Sequence, residues 1–262
     1  MTRDWRGATP RATGTRSPLT AETPWHAFYQ SDLQSLYALV ALPAAFLVYA
    51  LARPVRSADP QARFVYGWSI AFALETILDP IATGPLSRGL GLAGGGQLAV
   101  MLSFVLLGDW RVLLLVFALS YRPEQRGRAF AHSAALSFVV PIFAYLTDFR
   151  LRLLWPELPG QVLWLVYELG FVALALVLRW RVRRCLAAGA KDAERRLLRA
   201  VLAYAACTYA LWACADALVL AGFDAGWGLR ILPNQLYYAI SVPFVYFATF
   251  GWRRAGGPAQ AY

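Results

Sequence analysis

Residues 72–80 of the chain read FALETILDP and lie within an apolar run from Phe64 to about Pro85. A run of roughly 20 apolar residues is long enough to cross the hydrocarbon core of a bilayer as a helix. Glu75 and Asp79 are four residues apart, so they share one face of that helix. Because one acid inside a span costs roughly 2.5–3.5 kcal/mol on insertion scales, two on one face require partners or a function.

The composition of the whole chain favours the same environment. Of the 262 residues, 59% are hydrophobic and 15% are charged, whereas a soluble domain carries about 45–50% apolar and about 25% charged residues. The net charge of +10 comes largely from arginines that lie between apolar runs, where positive-inside bias and lipid headgroups explain them. We therefore expect membrane lipids as partners and no nucleic acid.

Seven apolar runs follow a polar N-terminal segment, and each has roughly the 17–25 residues that a span needs. They predict an all-α, polytopic membrane bundle of about seven transmembrane helices over residues 31–254. A flexible basic tail (1–30) precedes the bundle in this interpretation, and a short C-terminal tail (255–262) follows it. The predicted spans are 33–52, 64–85, 98–121, 129–147, 161–180, 199–222 and 233–252.

The distribution of Arg and Lys predicts the orientation. Sixteen of these residues lie in the loops after spans one, three and five and at the C-terminal end, whereas the alternate loops hold four. This bias places the N-terminus outside and the C-terminus in the cytoplasm. Only Lys191 among the 25 basic residues is lysine, which is typical of a high-GC bacterial genome and favours a bacterial inner membrane. The four residues of the alternate loops are Arg88, Arg150, Arg152 and Arg230.

Five acids and one arginine lie inside the predicted spans, at the midplane or in the outer half. Asp109 and Arg111 are two residues apart, so they point to different helix faces and should find partners on other helices. One arginine cannot neutralise five acids, which predicts a partly hydrated, carboxylate-lined pocket in the outer half of the bundle. The alternative is an internal polar network with only a structural role. The acids are Glu75, Asp79, Asp109, Glu168 and Asp216.

We predict that this pocket binds a lipophilic small molecule or transforms it by acid catalysis, and the sequence leaves open whether the protein is an enzyme. As an enzyme, Glu75 would donate a proton, and Asp79 or Asp216 would act as the base or stabilise a cation. The candidate substrate-binding residues are Asp109, Arg111, Glu168, Tyr209, Trp212, Asn234 and Tyr238.

Two alternatives use the same acids differently. In a proton- or cation-coupled transporter they would form a relay, and in a sensor or assembly subunit the bundle would act with a partner chain of unknown identity. His26 and His132 are the only histidines, which is too few for a haem or zinc site built on histidines. We therefore expect no cofactor and no metal.

Seven spans with the N-terminus outside is the arrangement of retinal proteins, but the predicted seventh span contains no lysine to form a Schiff base, which excludes that class. The organisation is similar to that of the small integral-membrane terpene cyclases of meroterpenoid pathways, which have seven spans and rely on one intramembrane Glu and one Asp. Glu75 and Asp216 are similar in kind to that pair, although Asp216 lies in the sixth span. This likeness of organisation does not assign a family.

Overall fold

A computed structural model of the chain describes residues 23–184 and 190–251. The structure is 87% helical, and the described residues form no strand. Three short segments are π-helical (Leu33–Tyr37, Ala82–Leu86 and Gln235–Ile240), and Pro123–Gln125 is a 3-10 turn. The α-helices are α1 Pro24–Gln30, α2 Ala38–Ala52, α3 Pro60–Ile81, α4 Ser87–Gly89, α5 Gly95–Ser120, α6 Arg126–Ser137, α7 Val139–Leu154, α8 Gln161–Arg184, α9 Asp192–Leu220, α10 Ala225–Asn234 and α11 Ser241–Phe250.

Within the part of the chain that the structure describes, six helical stretches are long and apolar enough to cross a membrane. They coincide with the first six predicted spans, although most of them extend further than the apolar runs. Large apolar side chains of α7 point away from the bundle, with Phe143 and Leu153 57% and 68% exposed, as expected for a surface that contacts lipid. The six stretches are Leu33–Ala52, Pro60–Gly89, Gly95–Ser120, Pro123–Leu154, Gln161–Arg184 and Asp192–Leu220.

The predicted seventh span falls on the continuous helical stretch 225–250, formed by α10, the last π-helical segment and α11. This stretch is not among the six, because Pro233, Asn234 and Gln235 interrupt its apolar character. Trp252 and the predicted tail 255–262 lie outside the described residues.

Consecutive long helices pack side by side, and the connections between them that the structure describes in full are short, so these helices run in alternating directions. Helix α3 also packs against α5 and α11, and α9 against α5. We call the end of the bundle that holds α1 the α1 end, and the turns 90–94, 155–160 and 221–224 lie at this end. We call the half of the bundle next to the α1 end the α1 half, and we call the remaining half the opposite half.

The main apolar core lies in the opposite half. Helices α2, α3, α5, α8, α9 and α11 contribute buried side chains to it, among them Phe46, Val65, Leu115, Leu178, Leu202 and Val242. A smaller cluster in the α1 half joins α7, through Val140 and Ala144, to aromatic rings of α8 and α9, and Phe171 stacks on Tyr209 with ring centroids 4.4 Å apart. The opposite half therefore holds most of the apolar packing.

Helix α1 lies within the segment 1–30 that the sequence predicts as a tail, of which residues 1–22 lie outside the described residues. Its N-terminal amides are capped by Asp224 from the turn between α9 and α10: the Trp25 and His26 N–H groups donate to the Asp224 carboxylate at 3.0 and 3.2 Å. The Thr23 hydroxyl donates to the same carboxylate. Contacts with a distant turn thus hold this part of the N-terminal segment on α10.

Candidate functional site

The first buried ion pair joins α3 to α5. Arg111 Nη1 lies 3.4 Å from Glu75 Oε2, and both residues are buried. Arg111 Nη2 donates to the Tyr237 carbonyl at 3.0 Å, and the guanidinium lies 4.4 Å from the centre of the Tyr237 ring. One arginine therefore ties together α3, α5 and the last π-helical segment.

Asp109 is fully buried and points to a different pair of helices. It accepts hydrogen bonds from the hydroxyls of Tyr167 on α8, at 2.5 Å, and Tyr209 on α9, at 2.7 Å. The expectation that Asp109 and Arg111 have partners on other helices is confirmed. Asp109 fixes the position of two aromatic rings.

A second buried ion pair corrects the sequence analysis. Arg230 was predicted to lie in a loop, but it is buried in α10 with its Nη1 2.6 Å from Asp216 Oδ1 on α9. The last helical stretch begins at Ala225, two turns before the predicted span at 233, and this shift brings Arg230 into the bundle. Two buried arginines, and not one, accompany the five acids. The i, i+3, i+7 spacing of Trp227, Arg230 and Asn234 is a signal that places all three on one helix face.

Glu168 lies beside this second pair. Its carboxyl interacts with Asp216 and Arg230, yet its Oε2 is buried and has no hydrogen-bond partner within the described parts of the chain. Only 3% of the Glu168 surface is exposed. A buried polar atom without a partner is costly, so this one needs an explanation.

A cavity of about 130 Å³ opens between these helices in the α1 half. Three charged residues line it: Asp79 from α3, Glu168 from α8 and Arg230 from α10. The remaining lining is mostly aromatic, with a few small or apolar side chains. The aromatic residues are Tyr29, Phe104, Trp164, Tyr167, Tyr209, Trp212, Tyr237 and Tyr238.

The predicted site residues divide into two groups. The first group lines the cavity: Asp79, Glu168, Tyr209, Trp212, Asn234 and Tyr238. The second group lies behind the lining and contacts it directly or through Arg111: Glu75, Asp109, Arg111 and Asp216. The sequence analysis did not select several lining residues, namely Tyr29, Trp164, Tyr167, Arg230 and Tyr237.

Each π-helical segment contributes to the cavity lining. Ser35 comes from the first, Thr83 from the second, and Tyr237 and Tyr238 from the third. A π-helical turn inserts an extra residue, is rare, and often occurs at functional sites. The second follows Pro80, which has no N–H to donate to the helix. In the third, the Tyr237 carbonyl accepts hydrogen bonds from Arg111 Nη2 and from the Ser241 hydroxyl.

Polar contacts extend from the cavity to α1. Trp212 Nε1 donates to Asn234 Oδ1 at 2.8 Å, and Asn234 Nδ2 donates to the Tyr29 hydroxyl at 3.3 Å. Tyr29 also packs on Trp227, with ring centroids 5.4 Å apart. Helix α1 therefore closes part of the cavity through Tyr29.

Searches with the whole chain found no matching family model, curated protein or solved structure. Within residues 23–184 and 190–251, no group of three His, Cys, Asp or Glu side chains is arranged to hold a metal ion. Any functional assignment therefore depends on the geometry of the cavity and its polar neighbours.

Proposed function

We propose that the protein is a seven-span membrane protein of a bacterial inner membrane, with its N-terminus outside and its C-terminus in the cytoplasm. The helical stretch 225–250 is long enough to be the seventh span. The burial of Arg230 removes one of the four basic residues that opposed this orientation, so that sixteen basic residues near the predicted cytoplasmic ends of the spans stand against three near the outer ends. In this orientation the cavity opens in the outer half of the bundle.

We propose further that the cavity binds a lipophilic small molecule. The observation that carries this proposal is the unpartnered Glu168 Oε2, buried in the lining of a largely aromatic cavity. Ligand sites are concave, mostly apolar and furnished with a few convergent polar groups, and this cavity has that composition. Asp79 and Glu168 would contact the ligand, while Glu75, Asp109 and Asp216 hold the lining in place.

Acid catalysis is the second candidate, because two carboxyl groups from different helices, Asp79 and Glu168, line one cavity. A protonated carboxyl would transfer its proton to a carbon–carbon double bond, and the resulting carbocation would lie against the aromatic rings. The other carboxylate would then remove a proton, giving an isomer of the substrate without any co-reactant. Glu75, which pairs with Arg111, takes a positioning role in this scheme.

Geranylgeraniol in D2O tests this second candidate with the protein in nanodiscs. Acid catalysis should convert geranylgeraniol into an isomer that carries one deuterium. The double variant Asp79→Asn/Glu168→Gln should not form this product. If geranylgeraniol is recovered unchanged while the protein still responds in the 19F NMR titration described below, acid catalysis is excluded and the binding proposal stands.

Transport is less well supported than binding. A coupled transporter needs polar groups along a path through both halves of the bundle, whereas the opposite half packs the main apolar core. The carboxyl groups that could form a relay are concentrated around the cavity in the α1 half.

The binding proposal can be tested by 19F NMR of protein labelled with 5-fluorotryptophan in nanodiscs. Trp164 and Trp212 line the cavity, whereas Trp180 is 53% exposed near the opposite end of α8. Titration with 3,3-dimethylbutan-1-ol, a small apolar alcohol, should shift the resonances of Trp164 and Trp212 saturably and leave that of Trp180 in place. Equal, unsaturable shifts of all three would indicate partition into the lipid and contradict the proposal.

A pair of neighbouring variants on α5 provides the control. Met101 lines the cavity, whereas Leu102 is 42% exposed on the surface of the bundle. Met101→Trp should fill part of the cavity and weaken the response to the alcohol at least tenfold. Leu102→Trp adds the same side chain outside the cavity and should leave the response unchanged.

A further inference from the structure

Among the described residues, the buried acids around the cavity outnumber the buried arginines. Five carboxyl groups and two arginines of residues 23–184 and 190–251 are buried around it. Each arginine pairs with one acid: Arg111 with Glu75, and Arg230 with Asp216. The other ion pairs of the α1 half are separate from this cluster, since Arg88 pairs with Asp32 and Arg152 pairs with Asp148. Three of these acids therefore form no ion pair with an arginine within residues 23–184 and 190–251: Asp79, Asp109 and Glu168.

Two of these three acids have hydroxyl donors. Asp109 accepts from Tyr167 and Tyr209, and Asp79 accepts from Thr83 at 3.3 Å and interacts with the Tyr238 hydroxyl. Glu168 has no hydroxyl donor of this kind: its carboxyl group forms a hydrogen bond with the Asp216 carboxyl group, and its Oε2 has no partner within the described residues. The cluster would therefore be complemented by a positively charged group, or by a hydrogen-bond donor, inside the cavity.

The rings that line the cavity together with Glu168 are of the kind that binds cations. Tyr209 and Trp212 have centroids 5.4 Å apart, and Trp212 and Tyr237 have centroids 5.1 Å apart. The negative faces of Trp and Tyr rings attract cations, and rings of this kind recognise quaternary ammonium groups. The Arg111 guanidinium already occupies such a position over the Tyr237 ring.

We propose that the natural ligand of the cavity is an organic cation of the alkylammonium class, with the charged group beside Glu168 and apolar substituents against the aromatic rings. This inference rests on the proposed binding function and specifies its ligand. Arg230 does not favour an anion instead, because its guanidinium is already paired with Asp216. Glu168 and Asp79 are then the residues that distinguish a charged ligand from a neutral one of the same shape.

Choline and 3,3-dimethylbutan-1-ol test this inference because they have nearly the same shape and differ in charge. In the 19F NMR titration, choline should shift Trp164 and Trp212 at concentrations at least tenfold lower than the alcohol. Glu168→Gln should abolish this preference and retain the response to the alcohol, which also reports that the variant is folded. Glu157→Gln, which alters an exposed acid in the turn 155–160 at the same end, should retain the preference.

The outcomes separate the two proposals. If both molecules bind with equal affinity, or if Glu168→Gln keeps the preference, the cation inference is wrong and the binding function stands. If neither molecule shifts the cavity tryptophans, the proposed binding function itself is wrong. Should Glu168→Gln fail to fold, Asp79→Asn replaces it, and an undiminished preference for choline in that variant contradicts the inference.

Discussion

The two halves of the bundle are built from the same long helices but differ in what they bury. In the opposite half, side chains such as Val65, Leu115 and Leu202 form a continuous apolar core. In the α1 half, the same helices bury five acids, two arginines and a ring of tyrosines and tryptophans around a cavity. The three π-helical segments of the described chain also contribute to the cavity lining.

This difference indicates a division of roles along the helices. Apolar packing in the opposite half requires only complementary shape, whereas each polar group in the α1 half needs a specific partner on another helix. The partners are present for most of them, so the polar cluster is an ordered structure. One of the exceptions within the described residues lies in the cavity lining, where Glu168 Oε2 lacks a donor. Stability should therefore be most sensitive to the ion pairs, and binding to the lining.

The largest effect on stability is expected from Arg230→Ala. It leaves Asp216 buried without its cation, and breaking a buried pair from one side costs about 3–5 kcal/mol. Arg88→Ala is the matched control, because Arg88 pairs with Asp32 at the surface, where such pairs contribute about 0–1 kcal/mol. Thermal unfolding in detergent measures both changes.

The double variant Arg230→Ala/Asp216→Ala sharpens the test. It removes both charges, so it should be more stable than Arg230→Ala alone. If the single variant unfolds at the wild-type temperature, the second ion pair does not organise the α1 half.

A smaller effect is expected from Asp59→Ala at the opposite end. Asp59 caps α3 by accepting from the Gln61 N–H at 2.9 Å, and it accepts from Lys191 Nζ at 3.0 Å. Loss of a helix cap costs about 0.5–2 kcal/mol. Because the cavity lies in the other half, the titration with 3,3-dimethylbutan-1-ol should be unchanged. An altered affinity would mean that the two halves are coupled.

The pH dependence of this cap follows from Asp59. Burial raises the pKa of Asp59, but hydrogen bonds from Lys191 and the Gln61 N–H outweigh it and lower the pKa overall. The stabilisation is therefore present above the ordinary Asp value of about 3.9 and is lost as the pH falls through the lower folded value. Unfolding measured across this acidic range should be less dependent on pH in Asp59→Ala than in the wild type.

The smallest and most local effect is expected from Asp224→Asn, which weakens the cap on α1. Amide exchange in α1, where the Ala27 N–H donates to the Thr23 carbonyl at 2.9 Å, should accelerate several-fold while exchange in α5 stays the same. Asp32→Asn alters an exposed acid at the same end and is the control. Unchanged exchange in α1 would show that Asp224 does not hold it.

Protonation of Asp224 should have the same effect as this substitution. Burial raises the pKa of Asp224, but hydrogen bonds from Thr23 and from the Trp25 and His26 N–H groups lower it overall. Docking of α1 is thus expected above the ordinary Asp value of about 3.9, and it should weaken as the pH falls through the lower folded value.

Sequence patterns predict the six long helices because an apolar run of this length typically forms a membrane-spanning helix. The two-residue spacing of Asp109 and Arg111 also predicts that they bind different helices. Patterns do not reveal which of Glu75 and Asp79 reaches the cavity, since both lie on one face of α3 and the difference comes from Arg111 on α5, which pairs with Glu75. The burial of Arg230 depends on where α10 begins, and the docking of α1 depends on Asp224, about 200 residues away.

The central claim is that the cavity in the α1 half is a binding site, and Gly108 offers the most direct test of it. A Cβ atom at Gly108 would lie 1.7 Å from the Tyr237 hydroxyl oxygen, so Gly108→Ala must displace a ring that lines the cavity. At Gly67 in α3 a Cβ meets nothing within 4 Å, and Gly67→Ala is the matched control. In the 19F NMR titration, Gly108→Ala should weaken binding of 3,3-dimethylbutan-1-ol at least tenfold, and Gly67→Ala should leave it unchanged. Equal affinity in the two folded variants would contradict the assignment of the cavity as the binding site.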